Sequence, residues 1–284
     1  MSYQFGAEYP VERMCQALGV SVSGYYAWRQ RRPSARQQRD EHLLVEVRAA
    51  HAASRGVYGS PRVHAALRQR GLRCSRKRVA RLMRQAGLRS CRRPRRRVCT
   101  TDSAHTRPVA PNLLQRDFSA SAPNQKWVGD ILGVWTEEGW LFLAALLDTF
   151  ARRIVGWAMS PYRDEALVTA ALQMALARRS PHSPLIHHSD RGSQYTAADY
   201  QAQLETHGIT VSMSHKGDPY DNAMMESFFS TLRAECTDLV RFPTRNAARA
   251  ALFAFMEVFY NRQRLHSSLD YLSPVQFEAA YLAR

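Results

Sequence analysis

The chain has 284 residues, a formal net charge of +16 at pH 7 and five cysteines. Its length is enough for one sizeable core with smaller domains attached. No run of about 18 or more apolar residues is present, so no membrane span is predicted. The N-terminus lacks the pattern of a signal peptide, and the scattered cysteines never form C-x-x-C. We therefore expect reduced thiols in a cytosolic protein.

The charge is distributed unevenly along the chain. Residues 1–126 contain 26 Lys and Arg against seven Asp and Glu, whereas residues 127–284 contain 14 against 17. A basic front half joined to a nearly neutral rear half suggests a nucleic-acid-binding arm and a separate working domain. Charge kept only for solubility is the alternative, and the size of the imbalance argues against it.

Two helical units are predicted in the basic half. Residues 11–32 read as a helix, a break at Gly19 and a second helix capped by Ser21 or Ser23, which indicates a helix-turn-helix-like region over 1–55. A second unit over 56–90 has Pro61 at a helix start and Ser75 as the cap of the next helix. Many helical hairpins share this pattern, so it is a weak signal without the charge.

Cations occupy one face of the second predicted helix in residues 56–90. Its other face carries a buried stripe of Val79, Leu82 and Met83. A helix with one buried apolar face and one open cationic face can bind the DNA backbone and the major groove, although a cationic face exposed only to solvent would have the same pattern. The cations are Arg76, Lys77, Arg78, Arg81 and Arg84.

Residues 91–122 read as a basic linker, rich in Arg, Pro, Ser and Thr and without periodicity. Its arginines would bind DNA phosphates independently of the base sequence, and the segment would also serve as a hinge. They are Arg92, Arg93, Arg95, Arg96 and Arg97.

From residue 123 the pattern changes to strands and amphipathic helices. Three strand candidates are followed by helix, strand, helix, strand and helix up to residue 236, and residues 237–284 read as a helical segment of the same core. This order predicts an α/β domain with a mixed sheet and flanking helices, preceded by the all-α units.

Each of three acidic residues in this domain has both an ordinary structural explanation and a functional one. Asp130 lies inside an apolar strand, where an unpaired charge is costly. Asp190 stands where its strand leaves the sheet, a common place for chemistry. Glu226 lies in the first turns of a helix. Taken singly, these residues are equally well an edge-facing Asp, a helix cap and a solvated Glu.

Helical geometry places Glu226 away from the apolar face of its helix. At about 100° per residue, Met224, Met225, Phe228 and Leu232 cluster on the other side. Arg233, seven residues on, returns to the side of Glu226. A solvated face would have the same spacing, so the pattern alone leaves the role of Glu226 open.

The motifs around these acids carry a more specific signal. They are "HHSDRGSQYT", "KGDPYDNAMMESFFSTLRAE" and "FYNRQRLHSSLDYLSP", with "GVSVSGYYAW", "YGSPRVHAALRQRG" and "DTFARRIVGWAM" elsewhere. Together they resemble the DDE transposases of bacterial insertion sequences, in the branch whose second reading frame, OrfB, carries a retroviral-integrase-like core. The resemblance covers nearly the whole chain.

This resemblance implies a ribonuclease H-like fold and a catalytic triad of Asp130, Asp190 and Glu226. It also implies a basic residue seven positions after the glutamate, and Arg233 fits that position and would orient DNA. Three converging carboxylates would supply hard oxygen ligands for two Mg²⁺ or Mn²⁺ ions, with Asp130 bridging both. Cleavage of DNA would use water, and strand transfer would use a DNA 3′-hydroxyl in the same site.

The resemblance also implies partners and one point of difference. The expected partners are DNA at the element ends and target, further copies of this chain on DNA, and the product of a first reading frame. The family usually has Thr two residues after the first Asp, where this chain has Leu132 on the same strand face as Asp130. Loss of that hydroxyl would alter the surroundings of the metals.

Other polar residues are expected to play supporting roles. His187, His188 and His215 are expected to be structural or DNA-contacting, and Asp221 to cap the helix that carries Glu226. Arg262, Arg264 and His266 would either contact DNA or pack on the core. A DNA-binding regulator with an inactive core and a nuclease that cuts without strand transfer are the two alternatives to a transposase.

Overall fold

The computed structural model describes residues 9–91, 109–181, 184–215 and 218–283. The linker arginines from Arg92 to Arg97 lie outside these residues. None of the helices in the described ranges is both long and apolar enough to cross a bilayer.

The basic half is helical, as predicted. Ser21 and Ser75 cap their helices by accepting hydrogen bonds from Gly24 N and Arg78 N at 3.0 and 3.2 Å. Pro61 lies in the first turn of its helix. The helices are α1 (Val11–Ala17), α2 (Val22–Arg29), α3 (Ala35–Ala53), α4 (Ser60–Gln69) and α5 (Arg76–Gln85).

Helix α3 packs with the two helices that follow it. Val47 of α3 shares one buried cluster with Val63 of α4 and with Val79 and Met83 of α5. This α3–α5 bundle, which we call the three-helix unit, therefore crosses the division at residue 55 expected from the sequence. Helices α1 and α2 contact each other as a separate pair.

The second half is built on a five-stranded mixed sheet with the order β3-β2-β1-β4-β5. β1 pairs antiparallel with β2, and β2 with β3, whereas β4 is parallel to both β1 and β5. The predicted order of strands and helices is confirmed. The strands are β1 (Lys126–Thr136), β2 (Gly139–Asp148), β3 (Arg153–Ser160), β4 (Leu185–Ser189) and β5 (Ile209–Met213).

Helices cover both faces of the sheet, because the strands alternate apolar residues on either side. Trp127 and Ile131 of β1 pack toward one face with α6 and α7, and Val128 and Leu132 pack toward the other with α8 and α9. This arrangement confirms the predicted ribonuclease H-like fold class. The helices are α6 (Glu165–Arg179), α7 (Ala198–Thr206), α8 (Ala223–Glu235), α9 (Arg245–Phe253) and α10 (Pro274–Leu282), with a π-helical turn at Ala254–Tyr260.

The C-terminal segment joins the sheet domain to the three-helix unit. Tyr58 accepts a hydrogen bond from Leu265 N at 2.7 Å, and Arg62 Nε donates to Leu265 O at 2.9 Å. Gln69 Nε2 donates to Tyr271 O at 2.9 Å. Helix α4 and Tyr58, which precedes it, therefore pack against residues 263–271.

Candidate active site

Asp130 lies in the middle of β1 on the face covered by α8. Its neighbours on that face, Val128 and Leu132, are fully buried, while Asp130 keeps part of its surface accessible. The backbone N–H of Ile131 donates to Asp130 Oδ1 at 2.7 Å. The carboxylate thus lies on the central strand of the sheet with a fixed orientation, and not at an edge of the sheet. Leu132 is an ordinary member of the core beneath it.

Burial and neighbouring acids raise the pKa of Asp130 to about 8. Burial contributes most, the negative charge of Asp190 adds to it, and Glu226 adds a smaller effect. The hydrogen bond from Ile131 and the positive charge of Arg163 act in the opposite direction. The three acids expected from the sequence therefore belong to one electrostatic site with an excess of negative charge.

Asp190 follows β4 directly. Because β4 runs parallel to β1, it delivers Asp190 to the side of the sheet domain where Asp130 lies. Gly192 N donates to Asp190 Oδ1 at 3.0 Å, which forms a tight turn and orients the side chain. The strand end thus presents a carboxylate whose conformation is set by its own backbone.

Glu226 approaches the site from the first turn of α8. Met225, Phe228 and Leu232 of this helix are buried, as the sequence predicts, whereas Glu226 is exposed. Arg233 lies in the last turn and is partly exposed. Glu226 is therefore the outermost of the three acids. Among the described residues, no three acidic, His or Cys side chains are grouped so that they could hold a metal ion as they stand.

Asn222 ties the start of α8 to β1. Its Nδ2 donates to the backbone carbonyl of Gly129 at 3.2 Å, and Gly129 directly precedes Asp130. Asn222 is buried, and its Oδ1 has no hydrogen-bond partner. This side chain sets the distance between the strand that carries Asp130 and the helix that carries Glu226.

Sequence reasoning missed three residues of this site. Arg163 acts electrostatically on Asp130, and Asp130 and Asp190 act on Tyr195. Asn222 connects the helix that carries Glu226 to the strand that carries Asp130. Burial first, and the charges of Asp130 and Asp190 among other effects, raise the pKa of Tyr195. Arg163 lies in the loop between β3 and α6 without any pattern, so its role depends on a fold that brings this loop beside the turn that follows β4.

The histidines of β4 are structural. His187 is fully buried, bonds Tyr200 Oη through Nε2 at 3.1 Å, and occupies the space that Gly129 leaves open. His188 bonds Ser212 Oγ at 2.8 Å on β5. Burial lowers the pKa of His187 to about 3 and that of His188 to about 4, so both rings are neutral.

Asp221 does not cap α8, contrary to the sequence prediction. Asp221 lies inside a 3₁₀ turn, Pro219–Asn222, and the N-cap of the helix is the next residue, Asn222. Asp221 is buried and accepts hydrogen bonds from His215 N at 2.8 Å, Asn112 Nδ2 at 2.9 Å and Arg116 Nε at 3.3 Å. It therefore holds the loop before α8 against residues 112–116.

Asp148, at the end of β2, is another structural acid. It is fully buried and accepts hydrogen bonds from Asn124 N at 2.8 Å and Phe150 N at 3.0 Å, with Arg179 beside it at 3.3 Å.

The cationic face of α5 is only partly open. Arg76, Lys77 and Arg84 are exposed. Arg78 and Arg81 each form an ion pair with Asp40 of α3 at 2.6 Å. The surface predicted to meet DNA thus consists of three open cations and two that share an internal carboxylate.

The C-terminal motif divides in the same way. Arg262 is exposed, whereas Arg264 and His266 are buried. Arg264 forms a bidentate pair with Glu235 of α8 at 2.7 and 2.6 Å. These two residues therefore pack on the core rather than projecting from it.

Comparisons with known proteins agree with this architecture. An integrase core domain family matches residues 120–219, a second integrase core family matches residues 207–274, and an HTH-like domain matches residues 38–97. The last range includes α3, in line with its packing in the three-helix unit.

Two relatives are similar over nearly their whole length. The 31 kDa protein of insertion element IS600 from Shigella sonnei is 47% identical over 268 residues, which cover 94% of this chain and 98% of the relative. Transposase InsF of insertion sequence IS3A from Escherichia coli K12 is 47% identical over 279 residues, which cover 98% and 96%.

Solved structures with a similar fold are retroviral. A simian T-cell lymphotropic virus intasome, in complex with PP2A regulatory subunit B56 gamma, aligns with a TM-score of 0.48 at 17% identity, covering 82% of this chain and 74% of that one. The HTLV-2 integrase catalytic core, in complex with magnesium, aligns with a TM-score of 0.43 at 17% identity, covering 56% and 99%.

Proposed function

The chain belongs to the family of insertion-sequence transposases with an integrase core and is a transposase, and from this premise we propose that Asp130, Asp190 and Glu226 are its catalytic residues. The observation that supports this assignment is the raised pKa of Asp130, to which burial contributes most and to which the negative charges of Asp190 and Glu226 add. Strongly perturbed pKa values of this kind cluster at functional sites.

We infer that the three carboxylates hold divalent metal ions, Mg²⁺ or Mn²⁺, and two ions match the number of acids. The donor set fits, because hard divalent cations prefer carboxylate oxygens. When bound, such ions activate the attacking oxygen and stabilise the leaving oxygen of a phosphodiester. Glu226 completes the set by rotation of its exposed side chain, since the acids do not form a closed group as they stand.

The protein's own groups define what happens around the acids. Ile131 N and Gly192 N hold Asp130 and Asp190 in fixed orientations. Asn222 keeps α8 against β1 so that Glu226 remains within reach. Arg233, in the last turn of α8, contacts the DNA backbone beside the three acids. Cleavage uses water as the nucleophile and joining uses a DNA 3′-hydroxyl, so no side chain forms a covalent bond with DNA.

The three-helix unit supplies recognition of the element ends. Arg76, Lys77 and Arg84 contact the duplex directly, and the linker arginines 92, 93 and 95–97 add contacts that are independent of sequence. Arg78 and Arg81 join them through their outer N–H groups. We further infer that several copies of the chain act together on DNA, and that the product of a first reading frame contributes to their assembly.

The test is a strand-transfer assay on the full chain with a labelled duplex that carries the element end, in Mg²⁺. Because metal ions supply several kcal/mol of transition-state stabilisation, we expect Asp130→Asn, Asp190→Asn and Glu226→Gln each to lower the rate by about 10³-fold or more. DNA binding in EDTA should be unchanged. Asp199→Asn, at an exposed site on α7, is the matched control and should retain activity.

Each outcome of this assay has a clear meaning. A neutralised variant that still joins strands contradicts the assignment of that residue. Cleavage without joining by the unchanged protein indicates a nuclease. If the first-frame product is needed, adding it restores activity to the unchanged protein and not to the triad variants.

A further inference from the structure

A second polar site lies on the side of α8 opposite Glu226. It is a cavity of about 180 Å³, lined on one wall by Ser227 and Thr231 of α8. A single water needs only about 10–15 Å³ on the same measure, so the cavity has room for a larger polar group. It plays no part in the catalytic site described above.

Three arginines from separate parts of the chain line this cavity. Arg62 comes from α4, Arg152 from the turn between β2 and β3, and Arg264 from the C-terminal segment. Glu235 pairs with Arg264 at 2.6 Å from outside the cavity. Among the described residues that line the cavity, none is acidic. Guanidinium groups are therefore the only ionic groups among the described residues that line the cavity, apart from His266.

His266 also lines the cavity and lies beside the three arginines. It is 5% exposed, and its Nε2 is buried without a hydrogen-bond partner. Burial and then the charges of Arg264, Arg62 and Arg152 lower the pKa of His266 to about 2. An anionic ligand bound among these arginines would raise the pKa of the ring again, and the protonated Nε2–H would then donate to that ligand.

The donors around the cavity match the chemistry of a phosphate. Guanidinium groups bind phosphate oxygens with strong, directional hydrogen bonds. Hydroxyl donors are contributed by Ser227 and Thr231 on one wall and by Ser267 and Ser268 on the other, and the latter two are exposed at the rim. The opening is therefore accessible from solution.

We propose that this cavity, the arginine pocket, binds one phosphate of the DNA backbone at the junction between the three-helix unit and the catalytic core. The proposal rests on the chain's action on DNA as a transposase and is independent of the catalytic assignment. It goes beyond the α5 surface, because the pocket is built from both halves of the chain.

The position of the pocket favours DNA over a small free anion. Arg62 reaches it from α4, the helix that rests on residues 263–271 through Tyr58, Arg62 and Gln69. A duplex that extends from the three-helix unit to the three acids runs along this junction. A phosphate bound here would neutralise positive charge from the three-helix unit and from the catalytic core. It would also fix the orientation of the three-helix unit relative to the core.

The direct test measures the affinity of the full chain for a duplex carrying the element end, in EDTA, as a function of salt. Arg152→Asn removes one pocket cation from a turn where φ is 55°, a conformation that Asn tolerates well. We expect the slope of log K against log salt to become shallower by about 0.9, the value for one phosphate contact. Arg241→Asn, at an exposed site outside the pocket, should leave the slope unchanged.

A second measurement keeps the protein constant and changes the DNA. Duplexes with a single neutral methylphosphonate are scanned along the backbone. For the unchanged protein, one position should lower affinity by up to about tenfold in 0.1 M salt. That loss should become smaller in Arg152→Asn, because one of the three arginines that hold the charge of that phosphate is missing.

Three results would overturn the proposal. The first is an unchanged salt slope in Arg152→Asn with its fold intact by circular dichroism. The second is a methylphosphonate profile identical in both proteins. The third is binding of inorganic phosphate that the duplex does not displace, which would make the pocket a site for a free anion. Loss of catalysis in triad variants affects none of these readouts.

Discussion

Helix α8 separates two regions of opposite charge. On one side lie Asp130, Asp190 and the exposed Glu226, whose negative charges act on one another. On the other side lies the arginine pocket, which is lined by Arg62, Arg152 and Arg264. One helix thus faces the expected position of metal ions on one side and that of a DNA phosphate on the other.

In other parts of the molecule, acids and arginines lie side by side as ion pairs. Asp148 lies beside Arg179, and Glu278 pairs with both Arg153 and Arg179. Such pairs hold elements together, whereas an excess of one sign costs stability and is retained where a ligand offsets it. Each of the following substitutions tests whether a polar side chain stabilises the fold or serves ligand binding and catalysis.

The largest effect is expected from Glu235→Gln. Glu235 and Arg264 are both buried and form two hydrogen bonds. Removal of one partner leaves a buried charge without compensation, next to two further arginines, and should lower the free energy of unfolding by about 3–5 kcal/mol. Urea denaturation measures this change.

The matched control for this pair is on the protein surface. Glu46 and Arg70 lie 3.7 Å apart, and both are more than 40% exposed. Because solvent screens such a pair, Glu46→Gln should cost less than about 1 kcal/mol. Equal losses in the two variants would mean that burial does not distinguish these pairs.

The next effect concerns the negative region, through the connection between β1 and α8. Asn222→Ala removes the donor to Gly129 O and frees the helix start from the strand. A displacement of about 1 Å in a catalytic group can cost about 10²-fold in rate. We expect the rate of strand transfer to fall by about 10- to 100-fold, with DNA affinity in EDTA unchanged.

Asn261→Ala provides the comparison for Asn222. Asn261 is another buried amide that bridges to a strand, donating to Ile154 O and accepting from Ile154 N, both at 2.9 Å. It lies away from the acids, so its loss should lower Tm and leave the rate per folded molecule unchanged. A similar fall in rate for both variants would mean that Asn222 acts only through stability.

The third effect is a pH dependence of the positive region. The pKa of His266 in the folded chain is about 2, well below the ordinary value near 6.5, so folding favours the neutral ring. Its contribution to stability is complete above pH 6.5 and is lost as the pH falls below that value. The loss is up to about 1.4 kcal/mol per pH unit.

His266→Gln should remove this dependence. The difference in unfolding free energy between the unchanged protein and the variant should shrink by about 2 kcal/mol between pH 6.5 and 5. His42→Gln, at an exposed position on α3, should leave the profile unaltered. If the unchanged protein and His266→Gln have parallel profiles, the arginines do not act on His266 as described.

The sequence predicts the catalytic half well where local patterns dominate. Asp164 caps α6 by accepting from Leu167 N at 3.1 Å, and Met225, Phe228 and Leu232 of α8 are buried as their spacing requires. Periodicity of this kind fixes elements and their order. The three acids were identified by the motifs around them, because each has an ordinary structural explanation when taken alone.

The remaining features depend on contacts that are distant along the chain. The arginine pocket joins residues 62, 152 and 264, and no pattern near any of them indicates the other two. Asp221 was assigned to a helix cap because acids are favoured just before helices. Besides the nearby His215 N, its donors are Asn112 and Arg116, which come from the end of the linker, more than 100 residues away. Long-range convergence, rather than local propensity, decided both cases.

The smallest effect is expected on the DNA-binding face of α5, where Asp40 pairs with Arg78 and Arg81. Asp40→Asn releases both guanidinium groups toward the exposed cations beside them. Since one additional phosphate contact steepens the salt slope by about 0.9, affinity for a duplex in 0.1 M salt should rise by up to about tenfold. Glu46→Gln, on the same helix, removes an equal charge beside Arg70 rather than α5 and should change affinity less. A decrease in affinity for Asp40→Asn would show instead that Asp40 orients Arg78 and Arg81 for contact with DNA. This carboxylate would then belong to the DNA-recognition surface and not to the ion pairs that only stabilise the fold.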